Sequence, residues 1–573
     1  MSLGREFFKS FGSRATVIRI NIALLIFFLA AYISILFLQP TLLAGKNAAA
    51  FIRCTLGDCN LRKVRWQDDQ NYTTSKDKTR AFLEGLRGGG VNIGLVNIGE
   101  EEVVDLGIGG KTTRVKFDQV SDNLEWKDLF PDMIDEEDPN ESQWCPEIPV
   151  PDFSAYEEMD AVVAKLPCRW PADGWSRDLF RLQIHLVAAK LASKKGRRDR
   201  RGAVKVVLLS KCAPMRELFR CDDLATRNGE WWMYEAEVER LEERLRLPVG
   251  SCKLALPFWQ EGTDEEFDVS NLVAPPTRRR RREAYATVLH SSDAYLCGAL
   301  VLAHSIRRTG STRDLVLLHD KSIRRSQLAV LAAAGWALRE VKRIRNPRAK
   351  KNAYNEYNYS KLRLWQLTDY DKVIFVDADI VVLRNLDHLF RFPQLSAAGD
   401  YRTVFNSGLL VIEPSSCAFN AMMAARRQVV SYNGGDQGFL NEMFVWWHRL
   451  PKRVNYLKYF KENTTAERRA MEELFEAEPA KIYAMHSLGL KPWRCYRDYD
   501  CNWNVGNQRV FASDVAHRRW WRLHDEMEEG LRGFCRLSEE RKKKLERERK
   551  EAEEMEFSDG HWRLNITDER KNI

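Results

Sequence analysis

Asp377 and Asp379 stand one residue apart where an apolar run ends, in Lys372-Val-Ile-Phe-Val-Asp-Ala-Asp-Ile-Val-Val-Leu383. The residues before Asp377 read as a buried strand, and two carboxylates at its tip are costly unless a counter-charge meets them. A divalent cation is the simplest counter-charge. Hard oxygen ligands at a strand end suit Mg²⁺ or Mn²⁺, and a cation held this way usually also binds substrate phosphates. A solvated turn would account for the same tripeptide, so the surroundings must decide.

Three later stretches weigh toward a site. Phe405-Asn-Ser-Gly-Leu-Leu-Val-Ile412 puts a polar turn ahead of a buried strand. Gly434-Gly-Asp-Gln-Gly-Phe-Leu440 joins flexible glycines to a carboxylate and an amide, then starts a helix. His486-Ser-Leu-Gly-Leu-Lys-Pro-Trp493 brings an imidazole, a glycine and a lysine close together. Singly, these are a turn, a helix cap and a core histidine. In this order after a strand-terminal Asp-x-Asp they supply a third ligand suited to Mn²⁺ and a point charge suited to phosphate.

The elements that must hold these groups alternate between strand and helix. Strands are expected at Ala284–Leu289, Leu315–Leu318, Trp336–Val341 and Lys372–Val376, and helices at Ala294–Thr309, Ser326–Ala334 and Ser360–Leu367. Such alternation implies a mostly parallel sheet covered by helices, with ligands at the carboxyl ends of its strands. Upstream, Leu179–Ser193 has helical spacing, Ala203–Ser210 reads as a strand and Trp231–Leu247 as a charged helix. This earlier block shows no chemistry of its own. Pro275, Pro276 and the run Arg278 to Arg282 mark a boundary and read as a solvated linker. Ser538–Phe557, dense in Arg, Lys and Glu, reads as a solvated helix.

The 573 residues carry a formal net charge of +9, modest for this length, and no nucleic-acid-binding pattern. Ile20–Leu38 is nearly uncharged and can just span a bilayer, while Arg5, Lys9, Arg14 and Arg19 before it favour the cytosolic side. The expectation is a type II anchor with the rest lumenal. All 12 cysteines lie beyond it, where disulfides form. Cys54/Cys59, Cys212/Cys221 and Cys495/Cys501 are close enough to be candidate pairs, whereas Cys297 and Cys417 sit in apolar patterns that suggest buried thiols. Sequons at Asn71, Asn140, Asn463 and Asn565 agree with a secretory route.

The ordered motifs resemble the retaining nucleotide-sugar glycosyltransferases of family 8, the glycogenin-like enzymes. The resemblance runs over residues 283–505 and includes Leu289-His-Ser-Ser-Asp-Ala-Tyr295 and Ser360-Lys-Leu362. It implies an α/β GT-A fold with a mixed, mostly parallel sheet and a bound Mn²⁺. Asp377, Asp379 and His486 match the metal ligands; Leu289, Ser291, Ser292 and Tyr295 match positions around the uridine. Lys361, Asn406, Ser407, Gly408, Asp436 and Gln437 match the sugar side, with Ala378 between the aspartates, and Gly489 and Lys491 match the diphosphate contacts. Asp436 and Lys361 are the expected catalytic residues. One departure stands out: Leu490 alone separates Gly489 from Lys491, where glycogenin-like chains have two residues.

The whole layout is similar to plant glucuronosyltransferases that place glucuronic acid on xylan, through Leu208–Asp223 and Leu247–Pro257 outside the catalytic motifs. That implies UDP-glucuronate as donor, xylan as acceptor, an α-1,2 linkage and a Golgi membrane setting, with room for a homo- or hetero-oligomer and no nucleic acid. The expected domains are a cytosolic tail at 1–19, the anchor at 20–38, a stem at 39–80 and a lumenal N-terminal α/β region at 81–274. A basic linker at 275–282, the GT-A domain at 283–505 and a charged helical tail at 506–573 follow. No residue visibly selects glucuronate; Arg363, Arg402 and Arg494 lie near motif positions and could pair with its carboxylate. A glucosyltransferase, another uronosyltransferase and an inactive scaffold subunit are the rival readings.

Overall fold

The computed structural model describes residues 90–571 apart from 106–108, 133, 135, 137–144, 169–176, 256–280, 291–293 and 401–403. The expected membrane span, the stem, Cys54, Cys59, Asn71, Asn140, Arg278 to Arg280, Arg402, Ser291 and Ser292 lie outside the described residues. Among those described, no helix is long and apolar enough to cross a membrane.

The central sheet is ordered β14-β12-β13-β10-β7-β8-β9. Its strands are β7 (Glu283–Leu289), β8 (Asp314–His319), β9 (Ala337–Glu340), β10 (Lys372–Val376), β12 (Ser396–Ala398), β13 (Leu409–Ile412) and β14 (His448–Leu450). Only β13 runs against the rest, pairing antiparallel with β10 and β12. Beside it, β11 (Ile380–Val382), β15 (Tyr456–Leu457) and β16 (Ala484–His486) form a small three-stranded sheet. The mixed, mostly parallel sheet expected from the sequence is thus present, and strands β7 to β10 start and stop close to their expected positions.

Strand alternation sends successive residues to opposite faces, and both faces are covered. Leu315, Leu317, Ile374 and Val376 face α3 (Leu296–Arg308) and Trp520 of a C-terminal helix. Val316, Leu318, Val373 and Phe375 face the other way, into one continuous core with Leu182, Phe219 and Trp232 of the N-terminal region. Lys372–Val376 is therefore buried along its whole length. The expected helix at Ser360–Leu367 is a 3₁₀ helix, Asn358–Gln366. Its three-residue repeat puts Tyr359, Leu362 and Trp365 on one buried side.

The N-terminal region has its own sheet, ordered β2-β1-β3-β4-β6-β5. It comprises β1 (Asn92–Val96), β2 (Lys111–Arg114), β3 (Ala161–Lys165), β4 (Ala203–Leu209), β5 (Leu224–Asn228) and β6 (Trp231–Glu237). Helices α1 (Leu179–Lys195) and α2 (Val238–Leu245) accompany it. The long helix expected from Trp231 is corrected here: its first half is strand β6, paired antiparallel with β4 from Glu237 to Trp231. Trp232 and Tyr234 point into the core, and only Val238–Leu245 is helical.

A buried charge network joins this region to the catalytic sheet. Lys372 Nζ donates to Glu243 Oε2 at 2.7 Å and to Phe392 O at 2.6 Å. Arg281 also meets Glu243, at 2.5 Å, so that end of the arginine run is docked and not solvated. Arg220 Nη1 lies 3.2 Å from Glu413. Burial would raise the Glu413 carboxyl, but Lys372, Arg220, Arg240 and Arg244 outweigh it and hold it well below the usual carboxylate range.

The disulfides are Cys145–Cys252, Cys168–Cys212, Cys221–Cys417, Cys297–Cys535 and Cys495–Cys501. Of the three candidate pairs, Cys495/Cys501 is bridged and Cys54/Cys59 lies outside the described residues. Cys212 and Cys221 pair elsewhere, and Cys297 and Cys417 are bridged and not thiols, because the fold brings together cysteines 238 and 196 residues apart. The C-terminal helix Glu539–Glu554 is also not merely solvated. It buries Arg541, Leu545 and Ala552, and the Arg541 Nε donates to Arg494 O at 2.7 Å.

Candidate active site

The sheet brings the motifs to one edge. β7 and β10 are parallel, so Leu289 and Asp377 leave the sheet at the same end. β13 is antiparallel to β10 with Leu409 opposite Val376, so Asn406, Ser407 and Gly408 enter there too. Asp377 N donates to Gly408 O at 2.8 Å. β11 then pairs antiparallel with β16, setting Ile380 against His486. That single pairing carries the imidazole across 106 intervening positions of chain to Asp379. Gly408 and Gly298 are required by close packing. A Cβ on the first would collide with His486 and Asn406, and one on the second with the Ala378 carbonyl and Trp493.

The ligating atoms of Asp377, Asp379 and His486 all lie within 4.8 Å of one another. Asn455 Oδ1 lies 3.1 Å from His486 Nδ1, and because an amide oxygen only accepts, that nitrogen donates and leaves Nε2 facing Asp379 Oδ1 at 3.4 Å. Two carboxylates and an imidazole nitrogen converging in this way fit a divalent cation, with Asn455 fixing the ring from behind.

Two lysines flank the carboxylates. Lys491 Nζ sits 2.6 Å from Asp379 Oδ2 and donates to Ser487 O at 2.7 Å. Lys361 Nζ sits 3.3 Å from Asp377 and 2.7 Å from Asp436 Oδ2, and donates to Ser407 O at 3.1 Å. Burial pushes the Asp377 carboxyl up, to about 6. Burial acts on Asp379 in the same direction, but Lys491 and His486 outweigh it and hold its carboxyl far below the usual range. Burial disfavours the Lys361 ammonium, yet Asp377 and Asp436 overcome this and raise its pKa.

Asp436, first residue of the helix Asp436–Met443, has both oxygens engaged. Asn358 Nδ2 donates to Oδ1 at 3.0 Å, and Ser407 Oγ donates to Oδ2 at 3.0 Å beside Lys361. Gln437 Oε1 accepts from Ser407 N at 3.0 Å, while its Nε2 donates to Asp400 Oδ2 at 2.9 Å. Asn406 Oδ1 accepts from Gly408 N and from Asn455 Nδ2, each at 2.8 Å. Tyr295, half-exposed at the start of α3, meets Trp493 edge-on at 5.7 Å between ring centres.

The shortened loop has its own support. Gly489 has φ +74°, which favours glycine, and a Cβ there would strike Asn502 and Phe511. Asn502 Oδ1 accepts from Leu490 N at 2.8 Å and its Nδ2 donates to Leu490 O at 2.9 Å. Both backbone groups of the lone spacer are thus fixed, which aims Lys491 at Asp379.

Every described site residue expected from the sequence therefore gathers at this edge. Asn358, Asp400, Asn455 and Asn502 were missed; each lies outside the quoted motifs and meets them at Asp436, Gln437, His486 and Leu490 respectively. Arg363 is committed elsewhere, to Lys342 O at 3.0 Å and Gln366 Oε1 at 2.7 Å.

A profile described as glycosyl transferase family 8 matches residues 286–495, and one described as the GUX1-5 N-terminal domain matches residues 62–252. UDP-glucuronate:xylan alpha-glucuronosyltransferase 2 of Arabidopsis thaliana is 51% identical over 100% of this chain and 99% of that protein. UDP-glucuronate:xylan alpha-glucuronosyltransferase 1 of the same plant is 46% identical over 87% of this chain and 74% of that protein. Human glycogenin-1 is 33% identical over 42% of this chain and 71% of that protein. With a relative this similar along its whole length and the catalytic edge intact, the chain belongs to the xylan alpha-glucuronosyltransferase family of glycosyl transferase family 8.

Proposed function

We propose that this chain transfers glucuronic acid from UDP-glucuronate to O-2 of xylose in the xylan backbone, with retention, as a Golgi type II protein of GT-A fold using Mn²⁺. The full-length similarity to a UDP-glucuronate:xylan alpha-glucuronosyltransferase carries this reading. Mn²⁺ bound by Asp377, Asp379 and His486 would supply a Lewis acid for the donor diphosphate.

The chain's own residues do the rest. Lys491, aimed by Asn502 through Leu490, adds a fixed positive charge beside the diphosphate as it departs. Leu289 and Tyr295, with the Ser291 and Ser292 that the family resemblance adds, are the uridine contacts of this reading. Asp436 sits beside the sugar as a fixed anion that stabilises oxocarbenium character. Its oxygens already accept from Asn358 and Ser407 and pair with Lys361, so few lone pairs remain to attack carbon. This favours front-side attack, in which the acceptor hydroxyl proton passes to the departing diphosphate oxygen, over a covalent intermediate on Asp436.

The test is a donor panel on the lumenal fragment with xylohexaose and Mn²⁺. Mass gain is expected with UDP-glucuronate and not with UDP-glucose, UDP-galacturonate or UDP-xylose. Transfer from UDP-glucose instead would overturn the donor assignment. A second expectation concerns Asn455, which orients His486. Asn455→Ala should raise the Mn²⁺ concentration for half-maximal transfer by about 10- to 100-fold, and an unchanged titration would remove Asn455 from the metal site.

A further inference from the structure

A cavity of about 700 Å³ opens beside the catalytic edge, a size that suits a ligand site. Asp400 lines it and is tied to Gln437 of the sugar side at 2.9 Å. Both residues of β15 line it, and there Leu457 pairs with His486. One wall is the helix Thr465–Glu476, with Ala470 and Glu473 exposed toward the opening. Ile134 and Glu136 of the N-terminal region, outside the family 8 match, line the cavity as well. Arg449 holds them, bonding Glu136 Oε1 at 2.7 Å and Ile134 O at 2.8 Å, and Lys452 N donates to Glu136 Oε2 at 2.8 Å.

We infer that this cavity is the acceptor groove, that it holds the neutral pentose residues flanking the reacting xylose, and that the N-terminal region belongs to this fold because it supplies one wall. The inference rests on xylan as the acceptor. The described lining carries five cationic and five anionic side chains, so it offers many hydrogen-bonding groups without a net field. A polyanion would call for surplus cations, and an apolar peptide for an apolar lining. A half-buried tyrosine, Tyr459, lines it as well, its ring tilted on Phe511 at 5.5 Å, and offers a sugar-sized flat surface. The groove thus adjoins the donor-sugar side through Asp400 and is uncharged overall, as a neutral polysaccharide backbone requires.

The experiment compares kcat/KM for xylohexaose and xylobiose in the full chain and two variants. Ala470→Trp narrows the groove from an exposed helix position, and Glu136→Ala releases the N-terminal wall. The wild type should prefer the longer acceptor. Each variant should lose about tenfold of that preference, equivalent to about 1.4 kcal/mol. The ratio is insensitive to the fraction of folded enzyme, so a folding defect does not mimic the result. Preference retained in both variants, or absent from the wild type, overturns the groove. Loss in Ala470→Trp alone keeps the groove and overturns the N-terminal wall. If the wild type transfers to neither oligosaccharide while still hydrolysing UDP-glucuronate, the xylan reading falls and this inference with it.

Discussion

Asp379→Ala is expected to abolish transfer to xylohexaose, with a loss of at least about a thousandfold. Asp379 is where the candidate cation, His486 and Lys491 converge, with Lys491 at 2.6 Å and His486 at 3.4 Å. Removing it takes a ligand from the site and releases the second positive charge near the diphosphate. Loss of several kcal/mol of charge stabilisation corresponds to at least that fall in rate. The same change leaves the largely buried Lys491 ammonium without its carboxylate partner, so stability should drop as well. Asp379→Asn keeps the volume and separates the effects: it should retain much of the melting temperature yet remain inactive. Wild-type turnover in Asp379→Asn, with xylohexaose and UDP-glucuronate, would sink the assignment.

Lys361→Met should be nearly as damaging, with kcat per folded molecule lower by about 100- to 1000-fold. The lysine is buried and bridges Asp377 and Asp436 at 3.3 and 2.7 Å. Methionine fills the same space without the charge. Asp377, Asp379 and Asp436 would then face one another with Lys491 as the remaining nearby ammonium, and Asp436 would lose its fixed position. Lys361→Arg should not rescue, because the larger guanidinium has no room beside Phe375, whose ring lies 4.6 Å from Nζ. A kcat within a few-fold of wild type would show that Asp436 holds its place through Asn358 and Ser407 alone.

Much of the catalytic half is legible in the sequence because its signals are local. The apolar run into Asp377 ends where β10 ends, and the helix after Gly435 starts at Asp436. What was misread depends on partners far away. Trp231–Glu237 is a strand buried on both faces at Trp232, Met233 and Tyr234, so it shows no clean alternation, and the charged helix that follows without a turn hides the boundary. Cys297 looks like any apolar helix residue until Cys535 arrives from the C-terminal tail. Asn455 and Asn502 carry no signal at all, since their importance lies in which backbone or ring they meet. One of the three arginines close to motif positions shows the converse: Arg363 is near a motif in sequence yet bonded away from it.

The ion pair beneath β10 has a consequence for how this enzyme can be divided. Lys372 opens the strand whose other end carries Asp377, and its partner Glu243 comes from the N-terminal region. Excising the family 8 portion as a stand-alone catalyst would take away the nearer of that ammonium's two carboxylates, leaving it Glu413 at 3.8 Å, and would strip one face of the sheet of its cover. The transferase half is therefore not a portable module. A shortened catalyst would have to re-engineer Lys372 and the apolar face around Val373 and Phe375 before its active-site strand could stand.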